Sequence, residues 1–135
     1  MPYRSLAPHA SSRLNGLRIL VAEDEPLVSM EMEDVILEHG AVPVGPFATL
    51  SELMDAVEAG GYDVAILDVR LGRDVSFPAA DRLQRSGVPF IFYSGHADRE
   101  DLFCAYPKAV LCRKPCAPER LLEAALDTID RTRAA

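Results

Sequence analysis

Four short apolar runs, each giving way to a residue suited to phosphate or metal chemistry, constrain this chain more than any other feature. Ile19-Leu20-Val21-Ala22 runs into Glu23-Asp24, Val64-Ala65-Ile66-Leu67 into Asp68 and Phe90-Ile91-Phe92-Tyr93 into Ser94, while Ala109-Val110-Leu111-Cys112 is followed by Arg113-Lys114-Pro115. Runs of this length without strict alternation suit strands covered on both faces, as in parallel sheets. Open parallel sheets place their ligand sites beyond the carboxyl ends of the strands. Acid, acid, hydroxyl and ammonium are therefore expected along one edge.

The segments between the runs read as helices. The first strand is expected at about 17–22, after which Pro26 suits the first position of a helix. That helix mixes Leu27, Met30, Val35 and Leu37 with Glu31, Glu33, Asp34 and Glu38 until Gly40 stops it. A strand at about 41–46 follows; then Thr49 or Ser51 caps a helix carrying Leu50, Leu53, Met54 and Val57, which Gly60-Gly61 ends. Further on, the pattern predicts a strand at 63–67, a loop at Leu71-Gly72, a helix near 76–86 and a strand at 88–93. A short helix near 98–105, a strand at 109–112 and a last helix from Pro118 through Leu121, Leu122, Ala125, Leu126 and Ile129 complete it. Alternation of strand and helix predicts an α/β fold with a parallel sheet, and the crossovers are long enough for right-handed connections.

At 135 residues the chain has the length of one domain, with 49% hydrophobic residues to build a core. Residues 1–15 stand apart in composition: Pro2, Pro8, Ser5, Ser11, Ser12, Arg4 and Arg13, with no carboxylate. They read as a flexible N-terminal tail, because such a segment buries too little apolar surface to offset its ordering entropy. Residues 16–135 are then the domain. A net charge of -7, without a Lys/Arg-rich run, argues against direct nucleic-acid binding. No apolar stretch is long enough to insert in a membrane. The three cysteines, Cys104, Cys112 and Cys116, are an odd number in one short stretch, which favours reduced thiols and a cytoplasmic setting. Zinc binding by Cys112 and Cys116 lacks two further ligands in sequence. His9 and His39 show no metal-ligand spacing.

Taken together, Glu23-Asp24, Asp68, Ser94 and Lys114-Pro115 after successive strands resemble the receiver domain of two-component response regulators, over about residues 17–132. The resemblance implies a doubly wound (βα)5 flavodoxin-like three-layer sandwich with parallel strand order 2-1-3-4-5, and a cis bond before Pro115. It implies Mg2+ as cofactor, with Asp24 and Asp68 as direct ligands, Glu23 acting mostly through water and the backbone carbonyl of Arg70 completing the set. Asp68 is then the phosphoacceptor, taking a phosphoryl group from a sensor histidine kinase or a histidine phosphotransfer protein. Lys114 neutralises charge on the transferring group, and Ser94 donates a hydrogen bond to it afterwards as the switch.

Departures from the commonest receiver pattern follow. Leu111 stands three residues before the lysine, where most receivers have Tyr or Phe, so an aromatic swing there cannot operate. The run Pro89-Phe90-Ile91-Phe92-Tyr93-Ser94-Gly95 instead resembles a subgroup with a Phe-Ala-Thr-Gly-Tyr motif, with Tyr93 for Ala and Ser94 for Thr. Arg70 and His96, each two residues past a site residue, are long enough to cover the phosphoryl group and tune its lifetime, and Cys116 replaces the Phe common after Lys-Pro.

The expected protein is thus a non-enzymatic, stand-alone receiver that acts on a downstream protein target, with homodimerisation left open. A degenerate or phosphate-sink receiver is the alternative. An aspartyl-phosphate phosphohydrolase usually has a second Asp two residues past the nucleophile, where this chain has Arg70. A flavin-binding domain needs hydroxyls or glycines after the first strand, where this chain has acids.

Overall fold

A computed structural model of the chain describes residues 12–95, 105–107 and 109–134. Strand β1 (Arg18–Ala22) leads into helix α1 (Pro26–Glu38), with Pro26 in its first turn as expected. Edge strand β2 (Val42–Phe47) follows, then α2 (Leu50–Ala59), capped by Thr49, whose hydroxyl accepts a bond from the Glu52 amide. Strand β3 (Val64–Asp68) begins one residue later than expected and includes Asp68 itself. The loop expected at Leu71-Gly72 is instead a small antiparallel hairpin of β4 (Arg70–Leu71) and β5 (Asp74–Val75). Helix α3 (Phe77–Arg85), strands β6 (Phe90–Ser94) and β7 (Val110–Arg113), and helix α4 (Pro118–Ala134) complete the described elements. The helix expected near 98–105 lies, apart from Ala105, outside the described residues.

The five long strands form one parallel sheet in the order β2-β1-β3-β6-β7, which is 2-1-3-4-5 when the hairpin strands are not counted. Strands β1 and β3 are neighbours, so the chain ends that follow them meet. The alternation hidden inside each apolar run separates two cores. Ile19, Val21, Val64, Ile66, Ile91 and Tyr93 face α1 and α4, where Met32, Val35, Ile36, Leu121, Leu122 and Leu126 cover them. Leu20, Ala22, Ala65, Leu67 and Phe92 face α2 and α3, under Leu53, Val57, Ala79, Ala80 and Leu83. Burying each Leu or Ile side chain contributes about 1.5–3 kcal/mol.

Two local features set the approach to the sheet edge. In β2 a cis Gly45–Pro46 bond and a register slip opposite Leu20–Ala22 sit on an edge strand, where proline is tolerated. Gly45 is required there: its φ is 103°, and a Cβ would lie 2.9 Å from the Phe47 nitrogen and the Val21 oxygen. The slip leaves the Phe47 carbonyl free to accept from the Glu23 amide at 3.0 Å, steering the chain as it leaves β1.

The tail boundary needs correction. Residues 12–14 form a helical turn, Leu14 is fully buried in the core shared by α1 and α4, and Arg13 pairs with Asp130. A single apolar side chain with a ready-made cleft suffices to anchor this polar stretch. Residues 1–11 lie outside the described set.

Candidate functional site

The same alternation that builds the core facing α1 and α4 delivers the acids. Asp68 is the next residue after Val64 and Ile66 on that face, and Glu23 follows Ile19 and Val21. Both are almost completely buried, at 1% exposure for Glu23 and 3% for Asp68. Asp24, exposed, lies beside them, and carboxylate oxygens of the three lie within 4.8 Å of one another. Each acid has a fixed set of partners. Glu23 Oε2 accepts from the Glu25 amide at 3.0 Å, whereas Oε1 is buried with no hydrogen-bond partner. Asp24 Oδ2 accepts from the Gly72 amide at 2.7 Å. Asp68 Oδ1 accepts from the Arg70 amide at 3.2 Å, and Oδ2 from Lys114 Nζ at 2.8 Å.

Burial pushes the Glu23 carboxyl up to about 7; the Glu25 amide pulls the other way, and the neighbouring Asp68 adds to the rise. Burial works against charge on Lys114, yet its bond to Asp68 and the surrounding carboxylates outweigh that, leaving the ammonium held above its ordinary value. The backbone also ties strand ends together: the Lys114 amide donates to the Ser94 carbonyl at 2.8 Å, and Lys114–Pro115 is cis.

Of the residues singled out from sequence, Glu23, Asp24, Asp68 and Lys114 converge. Ser94, buried, ends β6 on the opposite face of the sheet, and its hydroxyl donates to the Gly95 carbonyl at 2.9 Å. The Arg70 amide touches Asp68, while its side chain is exposed. Leu111 is half-buried in the other core, paired with Phe92. His96 lies outside the described residues. Three contributors escaped the sequence reading. Gly72, with φ 63°, supplies the amide for Asp24; Ser29 Oγ donates to the Glu23 carbonyl at 3.1 Å; and the Tyr93 ring lies under Lys114, its centroid 4.8 Å from Nζ. The glycine four residues after Asp68 was the one available signal for the first.

Three crowded carboxylates, one carrying an orphaned buried oxygen, fit a hard divalent cation that prefers oxygen ligands. An adjacent ammonium suits an anionic group approaching Asp68.

Comparison with known proteins identifies the family and the fold. The family model described as the response regulator receiver domain matches residues 19–126. SdrG from Sphingomonas melonis Fr1, solved in solution, is 35% identical, with 82% of this chain and 97% of that one covered at a TM-score of 0.69. A response regulator receiver protein from Sinorhizobium medicae WSM419 shares the fold at 20% identity, covering 88% of this chain and 98% of its own at a TM-score of 0.76. The transcriptional regulatory protein TcrA of Mycobacterium tuberculosis is 37% identical over 79 residues, 58% of this chain and 31% of TcrA. The chain thus spans about a third of the length of that curated relative.

Proposed function

Because the chain belongs to the response regulator receiver family, we propose that it accepts a phosphoryl group on Asp68 from a histidine kinase or histidine phosphotransfer protein and signals through protein contacts. The observation that carries this reading is the buried Asp68 carboxylate, 2.8 Å from the Lys114 ammonium and clustered with Glu23 and Asp24. An Asp68 oxygen attacks phosphorus, the phosphorus–nitrogen bond of the donor breaks with its electron pair leaving on the imidazole, and an acyl phosphate forms.

Mg2+ suits the pocket of Glu23, Asp24 and Asp68, with the Arg70 carbonyl as the further ligand that the family resemblance implies, and there it would supply positive charge against the crowded carboxylates and the incoming phosphoryl group. Lys114 balances charge from the other side, and Ser94, at the end of the adjacent strand, would turn its hydroxyl from the Gly95 carbonyl to donate to the new oxygens. The Arg70 side chain and His96 are placed by sequence to slow the approach of water to the acyl phosphate. Helix α1 supports a docking role. Of its apolar residues, Met32, Val35 and Ile36 are in the core, but Leu27, Met30 and Leu37 are 74%, 61% and 56% exposed along the helix that follows the acid pair.

The test is incubation with Mg2+ and acetyl phosphate followed by intact mass measurement. Wild type gains one phosphoryl group and Asp68→Asn gains none. An unmodified wild type, or a modification that persists in Asp68→Asn, sinks the proposal.

A further inference from the structure

Where the motif it resembles has Ala, this chain has Tyr93, and the structure gives that ring a specific neighbour. Tyr93 is paired in register with Asp68 on β3 and with Cys112 on β7, so its side chain stands on the same face of the sheet as the Asp68 carboxylate. It is 6% exposed, packed in the core beneath α1 and α4, and its carbonyl accepts from the Val69 amide at 3.3 Å, next to the acid. The ring therefore has little freedom. Lys114 Nζ lies 4.8 Å from its centroid while reaching Asp68 Oδ2 at 2.8 Å.

An ammonium on a four-carbon stem has many rotamers, and holding it in one place beforehand removes an entropic cost from the step it assists. Asp68 alone is a poor anchor for it. The carboxylate is the group whose charge and shape change when it is esterified, whereas the negative face of an aromatic ring is the same before and after. We propose that Tyr93 is a positioning residue: its ring face holds the Lys114 ammonium at the acid pocket before the phosphoryl group arrives and keeps it there once Asp68 is esterified. This role rests on Asp68 being the phosphoacceptor.

The test uses the full chain and two variants, Tyr93→Phe, which keeps the ring, and Tyr93→Leu, which removes it. In wild type the δ and ε methylene protons of Lys114 are shifted upfield by the ring current; the shift persists in Tyr93→Phe and disappears in Tyr93→Leu. With Mg2+ and acetyl phosphate, Tyr93→Leu is phosphorylated about two- to five-fold more slowly and binds beryllofluoride correspondingly more weakly, while Tyr93→Phe matches wild type. A Mg2+ titration checks that the pocket of each variant is intact. Absence of the ring-current shift in wild type overturns the proposal without any variant. So does a Tyr93→Leu protein that equals wild type, or a Tyr93→Phe protein as slow as Tyr93→Leu, which would assign the effect to the phenol. A wild type that takes up neither phosphoryl nor beryllofluoride sinks the phosphoacceptor reading and this role with it, an outcome separate from the others.

Discussion

On the face covered by α1 and α4, strands β1, β3 and β6 present aliphatic side chains and then run out into Glu23, Asp68 and Tyr93; on the face covered by α2 and α3, the same strands present Leu67 and Phe92, and β6 runs out into Ser94. The first face ends in charge. The second is built around rings: Phe92 packs edge-on against Phe77 and Phe90 at 6.0 and 5.5 Å and tilted against Tyr106 at 5.1 Å. The acids and the packed rings are thus divided by the pleat of one sheet, because residues i and i+2 share a face and i+1 does not. Mutations on the two faces should separate stability from ligand binding.

The largest effect is expected from Phe92→Ala. Phe92 is completely buried, and deleting a buried ring of this kind costs about 3–5 kcal/mol, measured as a lower urea midpoint. Mg2+ affinity of the remaining folded protein should be unchanged. A variant that loses Mg2+ binding while still folded would break the division between the faces.

Glu23→Gln should do the opposite. A carboxyl raised from 4.5 to about 7 makes the metal-free fold less stable as pH rises through that window, because the unfolded chain releases the proton first. Replacing it removes that dependence and stabilises the metal-free protein at pH 8 by about 1–3 kcal/mol. The same change should weaken Mg2+ binding about 10- to 100-fold, the usual loss when a group that orients a metal's shell is removed. Wild-type stability that stays flat between pH 5 and 8 would contradict the cause assigned to Glu23.

How much of this was legible from sequence follows the same division. The strand-end acids were readable because an apolar run that stops at Asp68 marks both the strand and its exposed edge, and β1–β3 adjacency then pairs it with Glu23. What escaped depended on contacts between distant residues. The β4–β5 hairpin is held partly by the Gly72 amide on Asp24, a bond spanning 48 residues that no local pattern encodes. Leu14 is one apolar residue in a polar stretch, and its burial depends on a cleft that α1 and α4 make together. The exposed row on α1 was hidden for the converse reason: Leu27, Met30 and Leu37 are helix-compatible residues, and hydrophobicity alone does not say which face of a helix the core takes.

The smallest effect is expected at Tyr106, the polar outlier of the ring cluster. The single proton of its hydroxyl is shared between the Phe77 carbonyl, 3.1 Å away, and the Asp81 carboxylate, fixing the segment before β7 against α3. Tyr106→Phe keeps the ring contacts and removes both bonds, which should cost about 1 kcal/mol, since Asp81 is exposed and regains water. Burial, and then the bond to Asp81, hold the phenol well above its ordinary value of 10.0. A group raised in this way stabilises the fold fully below pH 10 and loses that contribution as pH climbs towards the folded value. Melting curves of wild type and Tyr106→Phe should therefore differ at pH 7 and converge above pH 10. Curves that coincide at every pH would place the stabilisation in ring packing alone, and the two faces would then differ only in which shapes they bury.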